Sequence, residues 1–81
     1  MEAGLYTIYD RVADESSPPF VARTDGLAIR LFLQAMANNP NPKDDYLLYH
    51  VGYWDSFNSN SLVKAATPRQ IIISPNEGVE V

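Results

Sequence analysis

The chain has 81 residues, a formal net charge of −4 and no cysteine, which sets a single domain over 1–81 without disulfides or thiolate chemistry. A hydrophobic share of 46% rules out disorder and is enough for a thin core. The acidic balance opposes general nucleic-acid binding, whose affinity comes from neutralising phosphates.

Residues 5–12 read as a strand, with Leu5, Thr7, Tyr9 and Arg11 on one side and Tyr6, Ile8, Asp10 and Val12 on the other. Asp10 and Arg11 therefore point apart, and Asp10 is placed to accept backbone N–H groups from the loop that follows. ADESSPP cannot continue a ladder, because proline has no N–H. Phe20–Arg23 forms a short second strand. In TDGLAIRLFLQAMANNP, Thr24 or Asp25 caps a helix. Ala28, Ile29, Phe32, Ala35 and Met36 recur at helical spacing, with Leu31 and Leu33 widening the stripe. Asn39, in a left-handed conformation, and Pro40 end it.

YLLYHVGYW, residues 46–54, is the strongest strand signal and reads as the central strand. Gly52 within it marks a bulge or a close backbone approach. DSFNSNS turns the chain, Leu62–Lys64 forms a brief strand, and RQIII, residues 69–73, is the last. SPNEGVEV is an acidic, weakly ordered tail beyond a structured core of 5–73. The result is an α+β domain in ββαββ order, an antiparallel sheet of about four strands with one helix on one face.

A zinc site drawing on Cys and His needs several such ligands, and the single histidine, His50, cannot supply them. The acids Asp14–Glu15, Asp44–Asp45 and Asp55 read as solvated loop residues, with a Mg²⁺ site as the alternative. Four scattered glycines make no phosphate-cradling loop. No catalytic residues, metal or cofactor are expected. No apolar run approaches the roughly 20 residues of a membrane span, and MEAGLY lacks the layout of a signal peptide. A reducing cytoplasm fits the absence of cysteine.

One helix cannot roof both sides of such a sheet. Leu47, Tyr49, Val51 and Tyr53 are the more apolar set on the central strand and are expected beneath the helix. The open face then collects Tyr9, Leu48, His50 and Trp54, flanked by Arg11, with Arg23 and Arg69 at its edges. A bulge at Gly52 would move Trp54 across. Such a face suits bases stacked on rings with arginines on phosphates. It also suits a protein interface, where Tyr, Trp and Arg are preferred anchors. Ordinary strand aromatics covered by tail and loops are the third reading.

LYTIYDRVADESSPPF, TDGLAIRLF, NPKDDYLLYHVGYWD and PRQIII together resemble the small nonstructural protein of gokushoviruses, single-stranded DNA phages of the Microviridae. The resemblance runs from Leu5 to Ile73, with Ser17-Pro18-Pro19 a small departure at the turn. It implies a protein outside the capsid, in the host cytoplasm. It also implies a role in genome replication, at the switch to single-strand synthesis and packaging, often under a DNA-binding label. It carries over no site residues. The expectation is single-stranded DNA binding through Tyr9, Arg11, Arg23, His50, Trp54 and Arg69. The alternative is a homodimeric or hetero-partner adaptor that meets viral or host replication or packaging proteins without touching DNA.

Overall fold

The structure, a computed structural model, describes residues 2–55 and 62–73; the expected turn at 56–61 and the tail at 74–81 lie outside them. Its elements are β1 (Glu2–Asp10), β2 (Glu15–Ser16), β3 (Phe20–Ala22), α1 (Asp25–Ala37), a 3-10 turn (Lys43–Asp45), β4 (Tyr46–Asp55) and β5 (Leu62–Gln70). All pairings are antiparallel, in the order β2-β1-β4-β5, and β3 shares the outer edge of β1 with β2. The α+β class stands, as does a sheet about four strands wide. Three strands precede the helix where two were expected. Leu62–Lys64 and the start of RQIII belong to one strand, and residues 71–73 lie beyond its end.

The extra strand comes from a tight reversal after β1. Asp10 Oδ1 accepts the amides of Val12 at 3.0 Å and Ala13 at 3.1 Å, the role its position suggested. Asp14 adopts φ 56°, a left-handed conformation that Asp tolerates. The chain then pairs back with Tyr9 and Asp10. Pro18 and Pro19 cannot donate to β1, so the edge strand breaks into β2 and β3. At the break the Ser17 amide donates to the Ile8 carbonyl, and the Ile8 amide donates to Ser17 Oγ.

α1 starts where expected. Thr24 is extended, and its hydroxyl oxygen accepts the Leu27 amide at 3.1 Å. Its thirteen residues span about 20 Å, enough for one side of the sheet. Ala28, Ile29 and Phe32 are buried, Leu33 and Met36 partly so, while Ala35 and Leu31 stay exposed. The helix ends at Asn38 without a left-handed residue. Instead, Asn39 Oδ1 accepts the Asn41 amide, an Asx turn that leads into Pro42.

The core joins Ala28, Ile29 and Phe32 to Tyr6, Ala22, Leu48 and Ile71, with Ile8, Phe20 and Tyr46 packed against it. This corrects the expected facing of β4. Leu48, His50 and Tyr46 lie under the helix, and Leu47 and Tyr49 face away. Register explains it: Tyr6 pairs with His50 and Ile8 with Leu48, and directly opposed residues share a face. Tyr6 and Ile8 are in the core, so their partners follow them.

The pairing then skips Val51, since Leu5 pairs with Gly52. This one-residue bulge reverses the parity of everything after it. Tyr53 crosses to the helix side, and Trp54 crosses to the open side. On the other flank His50 pairs with Arg69 and Gly52 with Ala65. Residues 66–68, including Pro68, bow past the bulge. At Gly52 the backbones of β4 and β5 press together, and a Cβ there would collide with the Lys64 carbonyl oxygen. Gly52→Ala is therefore expected to lower stability by about 1–3 kcal/mol, read as an earlier midpoint in chemical denaturation. An unchanged midpoint would refute the close approach.

Candidate functional site

The six residues nominated from the sequence divide between two places. On the open face, β1 contributes Leu5, Thr7 and Tyr9, and β4 contributes Leu47, Tyr49 and, past the bulge, Trp54. Thr7 is buried among its neighbours and the others are half-buried, and α1 packs on the opposite side. Tyr9 and Tyr49 meet edge to face with centroids 6.3 Å apart, a favourable aromatic geometry. Val21, opposite Leu5, and Val63, opposite Trp54, extend the apolar surface, and Val63 is 73% exposed. The strand residues of this face carry no formal charge.

Tyr9 donates a hydrogen bond of 2.6 Å to Asp14 Oδ1. That bond is the main reason its phenol is pushed above its ordinary pKa; the positive charge of Arg11 pulls weakly the other way. Arg11, just past the end of β1, is exposed and lies near the Tyr9 ring system. It also lines an open groove of about 710 Å³ with Phe32, Leu48 and Ile71. Tyr9 and Trp54 thus stay with the open side, while Arg11 stands at the sheet's edge, near Tyr9 and also beside helix-side residues. Tyr49 joins them, although its place in an alternating apolar run had assigned it to the core.

His50, Arg23 and Arg69 are on the helix side. His50 is 5% exposed; Leu48 and His50 therefore do not belong to the open face, contrary to the sequence expectation. Its ring lies edge to face between Tyr6 at 5.2 Å and Tyr53 at 4.8 Å. These rings line a cleft of about 220 Å³ at the start of α1, together with Glu2, Arg23, Thr24, Asp25 and Arg69.

Asp25 ties the cleft together. It accepts a 2.6 Å hydrogen bond from the Tyr6 hydroxyl and a two-pronged contact from Arg69 at 3.2 and 3.3 Å. The Tyr6 bond first, then Arg69, lowers the Asp25 pKa. Burial first, then the bond to Asp25, raises that of Tyr6. The sequence held one sign of this tie: an acid in the first turn of a helix, where the backbone dipole favours it. The partner 19 residues away on β1 had no local signal.

The acids considered as metal ligands do not meet. Asp44 and Asp45 lie at the start of β4 and Asp55 at its end, about 30 Å apart along a strand. Among the described residues no group of three or more His, Asp or Glu could hold a metal ion. No helix among them is long and apolar enough to cross a membrane.

The depressed Asp25 pKa means its contribution to stability is complete above the unfolded carboxylate pKa of about 4 and fades as pH falls through the folded value. Asp25→Asn is expected to flatten the acid limb of the stability–pH curve. The raised Tyr6 pKa acts in the opposite sense. Its contribution is complete below about pH 10, the ordinary phenol value, and is lost as pH rises beyond it. Tyr6→Phe should flatten the alkaline limb. Denaturation midpoints across pH check both, and parallel curves for variant and wild type would refute the tie.

The sequence model of one protein family, described as Phage ORF5 protein, matches residues 3–80. No curated protein and no solved structure matches the chain.

Proposed function

The chain belongs to the Phage ORF5 family, and from that membership we propose that it is a nonstructural accessory protein of a gokushovirus-type phage. In this reading it serves single-stranded DNA genome replication and packaging in the host cytoplasm, and it acts by binding. The ligand is single-stranded DNA laid on the open face of the sheet. The observation that supports this is the gathering of Tyr9, Tyr49 and Trp54 on the side of the sheet opposite the helix, with Arg11 at the sheet's edge near Tyr9. Bases stack on such rings regardless of sequence, at about 1–3 kcal/mol per base. Arg23 and Arg69 are on the other side of the sheet and do not serve this surface.

With one arginine beside the rings, stacking outweighs phosphate contact. A short oligothymidylate should therefore quench Trp54 fluorescence at low salt. The logarithm of affinity should fall with the logarithm of salt by only about 0.7 per phosphate neutralised, a total slope near −1. Trp54→Ala should abolish the signal, and Tyr49→Ala should weaken binding as measured by anisotropy of a labelled oligonucleotide. An unchanged Trp54 spectrum with no anisotropy change would overturn the reading.

A second reading is a homodimer or partner adaptor without DNA contact. What favours it is the lack of any formal charge on the strand residues of the face, the pattern of an interface core. Light scattering separates the two. A dimer that Trp54→Ala converts to monomer, with no oligonucleotide binding by the wild type, would replace the DNA proposal.

A further inference from the structure

The cleft at the start of α1 lies on the helix side of the sheet, away from the stacking face, and takes no part in the function proposed above. Three features converge there. The first is the N-terminus of a thirteen-residue helix. Thr24 takes up the amides of Leu27 and Ala28, which leaves those of Asp25 and Gly26 without a partner among the described residues. Such amides favour negative charge.

The second is His50. It is 95% buried by its 5% exposure, lines the cleft, and its side chain makes no hydrogen bond among the described residues. No fully enclosed side-chain nitrogen or oxygen there lacks a partner, so its unbonded ring nitrogen is reached from the cleft. The imidazole, held edge to face between two tyrosine rings, therefore presents a polar ring atom to the cleft with no partner among the described residues.

The third is a pair of guanidinium groups. Arg23 lines the cleft and has no ion pair among the described residues. Arg69 spends one face on Asp25 and retains donors, since a guanidinium carries five N–H groups. Asp25 already sits in this donor-rich corner as an internal anion. Tyr6 and Arg69 answer its charge, and Glu2 at the cleft wall is exposed.

We propose that this cleft binds an oxyanion of the phosphate class, held by Arg23, His50 and the free donors of Arg69 beside the helix N-terminus. The Asp25 carboxylate competes with it for the same donors. The volume of about 220 Å³ admits a phosphate group with little attached to it. That chemistry has two sources, free phosphate or the terminal phosphate of a nucleic-acid strand.

The test follows the His50 ring and the Gly26 amide by NMR, at neutral pH, in the full chain. The probes are inorganic phosphate, a short 5′-phosphorylated oligothymidylate, and its unphosphorylated counterpart. Chloride at matched ionic strength is the control. Saturable shifts with inorganic phosphate support a site for the free anion. Shifts with the phosphorylated strand alone support the strand terminus as the source. Arg23→Gln, at an exposed position, should weaken binding several-fold, and His50→Gln should remove it. Asp25→Asn should strengthen binding several-fold while lowering thermal stability, opposite signs that a purely structural Asp25 would not produce. No saturable shift with either phosphate, equal shifts with chloride, or unaltered binding in Arg23→Gln would each overturn the proposal. None of these outcomes depends on Trp54 fluorescence, so the site and the stacking face can fail separately.

Discussion

One extra residue in the central strand governs which side chains each face presents. Backbone pairing holds β1 and β4 together on both sides of Val51, but the ladder steps over Val51 itself. Side chains alternate along a strand, so a single skipped position exchanges the two faces for everything beyond it. Before the bulge, Leu48 and His50 share the core side with Tyr6 and Ile8. After it, Tyr53 joins the core side and Trp54 the open one. Gly52 makes this tolerable, because the backbone of β5 occupies the space where its side chain would be.

From that exchange come two surfaces of opposite character. The open face gathers rings and branched chains with no charged residue among its described strand positions, and Arg11 stands at the sheet's edge just past the end of β1. The helix side gathers charge: Arg23, Asp25 and Arg69 at the start of α1, with His50 beneath them. The division is physical. Arg69 is drawn to the helix side by its register opposite His50 and by the carboxylate of Asp25. A charge-assisted, two-pronged contact is a strong local preference for a guanidinium. An aromatic surface and a cluster of cationic side chains thus lie on opposite sides of one small sheet.

Much of the fold was legible. A cap at Thr24 or Asp25, the buried stripe of Ala28, Ile29 and Phe32, the turn held by Asp10 and a close approach at Gly52 all followed from local chemistry; Thr24 is the cap, and the rest are seen. The facing of β4 was not legible. Residues 46–54 are apolar on both sides, so alternation carries no contrast to say which set is buried, and Leu47 with Tyr49 looks as suitable a core as Leu48 with Tyr46. The brief β2 escaped for a different reason. Glu15 and Ser16 have little strand propensity, and they pair because the reversal held by Asp10 and Asp14 brings them back beside Tyr9 and Asp10.

Local sequence alone determined where the chain turns, where its helix begins, and that one helix must leave a side of the sheet bare. These depend on neighbours within a few residues: a hydroxyl next to a free amide, a proline without a donor, an apolar period. Tertiary structure alone decided which rings are bare and which arginines stand beside them. That outcome depends on register between strands some forty residues apart, and on a bulge that shifts the register of β4 against both of its neighbours.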